Sequence, residues 1–199
     1  MKEQKFSDQL EQWLHGKSPK TLDSLEQVFR ERSFAIIILL LMFLPSLPLP
    51  TGGITHVFEI ISMLLALEMI AGRTTLWVPK RWRHRKLGQR TVNKALPFIM
   101  RRIRWFEKFS RPRLKGMLDN HNFLRLAGLL LFVFSLAAFL SPPFSGLDTL
   151  PSLGAVVIAL SLILGDTILF IAGCIVGLGG IALIIGLGTA VTSVFKHIF

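Results

Sequence analysis

The sequence predicts an all-α integral membrane protein, built from an internal repeat of short, Pro-broken helical hairpins with interfacial amphipathic helices beside them. Three observations predict this class. Hydrophobic residues make up 51% of the 199 residues, and the mean hydropathy of +0.55 is high for a protein folded in water. The apolar residues are gathered in runs that prolines and glycines end. The basic residues are concentrated between these runs.

Residues 1–33 form the first predicted unit, with two short amphipathic helices. Phe6, Leu10 and Trp13 recur at helical spacing on one face of the first helix. Thr21 is placed to cap the second helix, whose apolar face includes Leu25. The pattern fits both a position in the headgroup layer of a membrane and packing against the rest of the protein.

Residues 34–77 form the first predicted membrane hairpin. Its first run, 34–49, carries no charge and leads into prolines and glycines that include Pro50 and Gly53. Its second run, 57–72, is interrupted by two glutamates. Sixteen helical residues extend about 24 Å, less than the hydrocarbon core of about 30 Å. The hairpin is therefore expected either to re-enter the bilayer or to span it where the bilayer is thinned.

Residues 78–122 form a basic cytoplasmic or interfacial segment. The stretch 73–125 holds sixteen of the 23 Lys and Arg residues and only two acids, so its charge of +14 exceeds the +11 of the whole chain. Such segments stay on the cytoplasmic side, and anionic lipid headgroups are the predicted partner. Leu96, Ile103 and Phe106 share one helical face beside Trp105, which is the pattern of an interfacial helix.

Residues 123–199 form the second hairpin and a Gly-rich C-terminal helix. The run 123–140 is broken at Pro143 and Gly146, and a further apolar run follows at 153–164. The last helix begins at Thr167. Three of its glycines lie on one face, which predicts close packing within the chain or across a homodimer seam. These are Gly173, Gly177 and Gly180.

The two hairpins match without gaps at an offset of 93 residues, so that Pro50 aligns with Pro143 and Gly53 with Gly146. Repeats with broken helices are typical of transporters, whose sites lie where the interruptions meet. The same pattern fits a duplicated structural hairpin that has no substrate. If the basic segment does not cross the membrane, both hairpins begin and end on one face, which favours parallel over inverted repeats. Unwound backbone in the turns is expected to meet the other turn, a polar side chain or water.

Four charged residues in or beside the apolar runs are the candidate polar pathway: Glu59, Glu68, Arg73 and Asp166. A charge in hydrocarbon is costly, and it therefore pairs, loses its charge or serves a pathway. Glu59 and Glu68 are nine residues apart and fall on opposite helix faces, so they are not a paired-carboxylate site. Arg73 and Asp166 occupy equivalent repeat positions with opposite charge, which suggests a pair across the repeat.

The chain carries no pattern typical of catalysis, cofactor binding or metal binding. Cys174 is the only cysteine, and it lies in an apolar run. His56 precedes Glu59 by three residues without a second histidine nearby, which is not a zinc site. We therefore expect no catalytic residue, no cofactor and no metal. We expect no nucleic-acid partner for this basic segment, because it lies between membrane runs, where anionic lipid is closer.

A set of short motifs begins at the proline-rich turn and continues through the segments that follow it. These motifs are Leu44-Pro45-Ser46-Leu47-Pro48-Leu49-Pro50, Ala66-Leu67, Gly72-Arg73, Trp77-Val78-Pro79 and Arg111-Pro112-Arg113-Leu114. Together they resemble the bacterial ExoD-type exopolysaccharide-synthesis membrane family over about residues 20–195. Glu68 stands where the family pattern leads us to expect glutamine. The resemblance implies an inner-membrane protein linked to the production of a secreted acidic polysaccharide.

The sequence and the resemblance together predict a non-enzymatic, multi-pass protein of the bacterial inner membrane that takes part in exopolysaccharide production. Its role is either to transport or position a glycan, lipid or ion near the repeat interface, or to scaffold a synthase complex. The alternative is a membrane-embedded glycosyl- or lipid-transferase. Candidate partners are an acidic polysaccharide, its synthesis machinery and a second copy of the chain in a homodimer.

Overall fold

The computed structural model describes residues 6–16, 19–29, 32–48, 53–73, 88, 96–109, 120–142 and 145–198. Within these ranges the elements are α-helices, as the sequence predicts. They are α1 Phe6–His15, α2 Leu22–Phe29, α3 Arg32–Phe43, α4 Ile54–Ile70, α5 Leu96–Phe109, α6 His121–Leu140, α7 Thr149–Leu164 and α8 Thr167–Ile198. Pro50, Pro143 and most of the basic segment lie outside the described residues, so the predictions made for them stay predictions.

Helices α3, α4, α6 and α7 form a four-helix core of two hairpins, α3–α4 and α6–α7. Gly128 near the start of α6 lies against Met69 near the end of α4. At the other end, the His56 ring of α4 meets the Phe139 ring of α6, with centroids 5.3 Å apart. Helix α4 is therefore antiparallel to α6, and α3 and α6 run in the same direction. Consistent with this, Met42 of α3 and Ser135 of α6 are in contact, 3.7 Å between sulfur and hydroxyl.

The core consequently has two distinct ends. The turn end is where α3 and α6 end and where α4 and α7 begin, so each hairpin connection starts and finishes there. The base end contains the starts of α3 and α6 and the ends of α4 and α7, and there Arg125 of α6 lies close to Gly72 after α4. The two hairpins therefore enter the core from the same end.

Glycines in the left-handed region mark the same places in both hairpins. Gly53 and Gly146 precede α4 and α7, with φ of 87° and 70°, and Gly72 and Gly165 follow them, with φ of 75° and 69°. Among the described residues these four are the glycines with positive φ, and they form two pairs 93 residues apart. A side chain at such a φ is strained, which explains why glycine stands at these helix boundaries.

Helix α3 is shorter than the apolar run that predicts it. It ends at Phe43 because Pro45 and Pro48 cannot continue the hydrogen-bond ladder. Ser46 closes the last turn instead, since its backbone N–H donates to Met42 O at 3.0 Å and its hydroxyl to Phe43 O at 2.7 Å. Twelve helical residues extend about 18 Å, well below the thickness of a hydrocarbon core.

The N-terminal helices pack against the protein. Phe6 and Trp13 of α1 contact the Phe29 ring of α2, with ring centroids 5.2 and 6.3 Å apart. Thr21 caps α2 as predicted, because its hydroxyl accepts from Ser24 N at 3.2 Å and its own N–H donates to the Ser24 hydroxyl at 3.1 Å. Of the two positions that the sequence allows for α1, the structure shows packing on the protein.

Helix α5 covers the outside of this N-terminal layer. Glu107 accepts from the backbone N–H and hydroxyl of Ser7 at the first turn of α1, at 3.3 and 2.5 Å. Arg104 pairs with Glu11, and Phe98 at the other end of α5 contacts Phe43 of α3, with centroids 5.8 Å apart. The predicted amphipathic pattern of α5 is confirmed at Leu96 and Ile103, which are buried.

Much of the remaining described surface is apolar. Helices α4 and α6, and α8 as far as Leu187, expose large aliphatic side chains, among them Leu64, Leu129 and Ile175. The segments His121–Leu140 and Thr167–Thr189 are long and apolar enough to cross a membrane. Contiguous exposed apolar faces of this kind are typical of surfaces that contact lipid or another protein, and they support association with a membrane.

Candidate functional site

The candidate site lies at the turn end of the core, beside the first turns of α4. Glu59 is completely buried there, although the surrounding side chains are largely apolar. Its Oε2 atom is 2.7 Å from Nδ1 of His56, one helical turn earlier. The His56 side chain is 27% exposed, while that of Glu59 is 0% exposed. His56 therefore lies between the buried carboxyl group and the surface.

The hairpin connection before α7 adds a second acid to this region. Asp148 lies within electrostatic range of both Glu59 and His56. Burial raises the pKa of the Asp148 carboxyl above its ordinary value, so this group holds a proton to a higher pH than an exposed aspartate does. Asp148 thus brings the second hairpin within electrostatic range of the pair on α4, and the meeting of the two turns stays a prediction.

Several buried oxygen atoms near the turn-end starts of α4 and α7 have no hydrogen-bond partner among the described residues. In α4 these are Oε1 of Glu59 and the hydroxyl of Ser62, one turn further from the connection. In α7 they are the hydroxyls of Thr149 and Ser152. An unsatisfied buried polar group costs about 1–3 kcal/mol. Four such atoms in the turn-end halves of α4 and α7 therefore point to a ligand or a functional role.

The structure separates Glu59 from the other residues of the predicted pathway. Glu68 is half-buried nine residues further along α4, about 13 Å away along the helix axis. Arg73 follows the end of α4 at the base end. Asp166 is buried there and caps α8, since it accepts from Ile168 N at 2.8 Å. Glu68 and Asp166 make further interactions at this end, and the Arg73–Asp166 pair stays a prediction.

The three glycines of α8 form a packing seam within the chain. A Cβ atom at Gly173 would lie 2.7 Å from Ile158 of α7, and one at Gly180 would lie 2.7 Å from Pro151. A Cβ atom at Gly177 would lie 2.2 Å from the ring of Phe134 in α6. The predicted close packing is therefore present, and its partners are α6 and α7 of the same chain. These glycines are therefore covered within the chain, and the homodimer seam predicted as the alternative is not required to explain them.

Sequence reasoning identified Glu59 but not the set of groups around it. The spacing of His56 and Glu59, three residues apart on a helix, is the signal that the sequence contains. Asp148 is distant in the sequence, and only the antiparallel packing of α4 and α6 brings it near. Among the described residues there is no group of three His, Cys, Asp or Glu side chains that could hold a metal ion.

Comparison with known proteins adds a family assignment. The family model described as exopolysaccharide synthesis, ExoD, matches residues 6–186. An uncharacterized protein of Synechocystis sp. is 26% identical over 178 residues, which cover 86% of this chain and 81% of that protein. No solved structure matches the chain. The match includes the turn-end residues and nearly the whole helical core, and the chain therefore belongs to the ExoD family of exopolysaccharide-synthesis proteins.

Proposed function

We propose that this protein is a non-enzymatic, multi-pass component of the bacterial inner membrane that moves or positions a glycan, lipid or ion during exopolysaccharide production. The observation that carries the proposal is the buried Glu59 carboxyl group, paired with the partly exposed His56, at the turn end of two interrupted hairpins. A carboxyl group is costly to bury and is usually retained for function when it lies inside a membrane domain. Its position at the meeting of two broken hairpins is that of sites in many transporters.

The apolar outer faces of α4, α6 and α8 support the membrane part of the proposal. In water they would form a large exposed apolar surface, which soluble monomers rarely carry. Helices α3, α4 and α7 are too short to cross about 30 Å of hydrocarbon unaided. The core therefore sits in a locally thinned bilayer, with the turn end near one surface.

Contacts between residues 93 positions apart support an internal duplication. Met42 meets Ser135, and Glu11 pairs with Arg104. Residues at equivalent positions touch in this way when two copies of a motif are related by an approximate twofold axis. The common direction of α3 and α6 fits parallel rather than inverted repeats. In this arrangement Glu59 has Ser152 as its counterpart, and Asp148 has Thr55, so the two halves contribute different polar groups.

Replacement of Glu59 by glutamine tests the proposal. In a strain that lacks its own copy, we expect Glu59→Gln to reduce exopolysaccharide output about tenfold, because a hydrogen bond to a charged group contributes roughly 1.5–3 kcal/mol. Glu68→Gln is the matched control, since it makes the same chemical change in the same helix, outside the site. We expect output close to that of the unaltered protein.

Protein abundance in the membrane fraction must be equal in the three strains. If Glu59→Gln is as abundant and as active as the unaltered protein, the polar pathway is wrong and scaffolding of a synthase complex is the better interpretation. If both glutamine variants lose output equally, the effect is not specific to the turn end.

The exposed face of α5 is the proposed contact for anionic lipid. Arg101 and Arg102 are exposed on this helix, beside the exposed Trp105, and the Arg102 guanidinium lies over the Phe98 ring at 5.4 Å. A basic residue near an anionic membrane surface contributes about 1 kcal/mol. Two such residues therefore change the affinity for an anionic headgroup by roughly 30-fold.

Lipid retention measures this contact. We expect Arg101→Gln/Arg102→Gln protein, purified from mixed-lipid nanodiscs, to retain fewer anionic lipids by mass spectrometry and unchanged amounts of zwitterionic lipid. Arg73→Gln, which removes one exposed arginine at the base end, is compared with each single variant of α5 and so controls for the loss of one charge. Unchanged anionic lipid in the double variant would show that α5 does not contact the headgroups.

A further inference from the structure

The Glu59 carboxyl group is satisfied on one side only. Oε2 has the His56 ring at 2.7 Å, whereas Oε1 is buried without a hydrogen-bond partner among the described residues. The hydroxyl of Ser62, one turn further along the same helix face, is also buried and unsatisfied. A carboxylate can only accept hydrogen bonds, but a protonated carboxyl also donates one. Addition of a proton therefore removes the charge of a completely buried carboxylate and lets the carboxyl group donate as well as accept.

His56 provides the connection to the surface. Its ring is partly exposed at the turn end and contacts the completely buried carboxyl directly. Histidine is the side chain whose ordinary pKa lies nearest neutrality, and its two ring nitrogens allow it to accept a proton on one side and release one on the other. A proton can thus pass from water at the turn end to Glu59 without any movement of the helices.

Among the described residues, few other charges lie near Glu59. Besides His56 on α4, Asp148 lies within electrostatic range of it, in the connection before α7. Helix α7 itself carries no ionisable side chain. The ionisable residues of the two helices that pack against α4 are Arg32 on α3 and His121 and Arg125 on α6, and all three lie at the base end. No cation from these helices lies near enough to neutralise the Glu59 carboxylate. A bound proton would neutralise it without any additional side chain.

We propose that Glu59 and His56 form a proton-binding site that opens to the turn end of the core. The step is an uptake in which a hydronium ion at the turn end gives its proton to His56, His56 releases a proton from Nδ1 to Glu59, and water remains. No electron transfer or other reactant is needed. Proton binding is a property of this pair itself, and only its use to drive the movement of a glycan, lipid or ion rests on the function proposed above.

Infrared difference spectroscopy on the full chain in nanodiscs tests the site directly. We expect a carbonyl band of a protonated, buried carboxyl that disappears as the pH is raised. The band should be lost completely in Glu59→Gln and retained in Glu68→Gln. In His56→Gln, glutamine still donates to Oε2 but cannot carry a proton, so we expect the band to persist while its exchange with heavy water slows about 100-fold.

Several outcomes overturn the proposal. A pH-dependent band that survives in Glu59→Gln would place the proton elsewhere, with Asp148 as the first alternative. If Glu59 stays ionised at all pH values and the unaltered protein instead responds to Na⁺, the unsatisfied oxygens of Ser62, Thr149 and Ser152 belong to a cation site. Unchanged exchange in His56→Gln would remove His56 from the route.

The two proposals fail separately. Suppose that the unaltered protein shows the carbonyl band but Glu59→Gln still supports full exopolysaccharide output. The proton site is then correct and the polar pathway is wrong. If instead Glu59→Gln loses output and the unaltered protein shows no titrating band, the polar pathway is retained and the proton site is wrong. Each result is interpretable because the spectroscopic readout does not depend on polysaccharide production.

Discussion

Gly177→Leu should lower the melting temperature of the purified protein in detergent by about 10 °C. Even a single Cβ atom at this position would lie 2.2 Å from the Phe134 ring, and Phe134 is completely buried. On the facing helix, a Cβ atom at Gly154 would lie 2.5 Å from Gly177 Cα, so the backbones have no room to separate without opening the core. Overpacking of this kind costs about 3 kcal/mol, which corresponds to such a shift for a chain of this size.

Gly186→Leu is the matched control on the same helix, because a Cβ atom there meets nothing within 4 Å. We expect its melting temperature to be equal or slightly higher, since glycine is a poor helix former. A second test combines Gly177→Ala with Phe134→Leu. The leucine side chain makes room for the methyl group at position 177. The loss in the free energy of unfolding of the double variant should therefore be about 1 kcal/mol smaller than the sum of the losses in the two single variants. Equal melting temperatures for Gly177→Leu and Gly186→Leu would contradict the packing seam.

Ile175→Arg should sharply reduce the amount of folded protein in the membrane. Ile175 is 67% exposed, on the outward face of α8 and within the segment that is long and apolar enough to cross a bilayer. Arginine in the middle of a membrane helix is less favourable than isoleucine by about 3 kcal/mol on insertion scales. A large loss of folded protein indicates that Ile175 faces lipid, because an added surface arginine is normally tolerated by a protein folded in water.

Val28→Arg is the control for this experiment. Val28 is 50% exposed, but it lies in α2, in the N-terminal layer and outside the two candidate membrane segments. We expect this variant to insert normally, as measured by resistance to carbonate extraction and by the yield of monodisperse protein. If Ile175→Arg inserts equally well, the apolar face of α8 is covered by another protein rather than by lipid.

Most of the fold could be predicted because its signals are local. The helix boundaries at Gly53, Gly72, Gly146 and Gly165 follow from the conformation that glycine alone adopts easily, and apolar periodicity places the helices between them. The family resemblance, read from the proline-rich turn, is confirmed over residues 6–186. The length of α3 was less predictable, because the apolar run continues past Phe43 while the proline ring ends the helix.

The candidate site could be predicted only in part. Burial of a glutamate in an apolar run is visible in the sequence, and Glu59 was identified for that reason. By sequence alone, Glu68, Arg73 and Asp166 are as good candidates for the polar pathway as Glu59. The reason is that apolar surroundings do not show which end of a hairpin a residue occupies. The approach of Asp148 depends on how the second hairpin packs on the first, a long-range property that no local pattern encodes.

The contact between α1 and α5 has a consequence for how the chain is made. Ser7 and Glu107 are 100 residues apart, and ribosomes add about 5–20 residues per second. Phe6 and Trp13 can meet Phe29 as soon as α2 has been made, whereas the pairing of α1 with α5 waits roughly 5–20 seconds. The N-terminal layer therefore forms in two stages, with the apolar contact between α1 and α2 first and the polar contacts between α1 and α5 last. In that interval the amphipathic pair of helices is free to rest in the headgroup layer, which its sequence pattern fits.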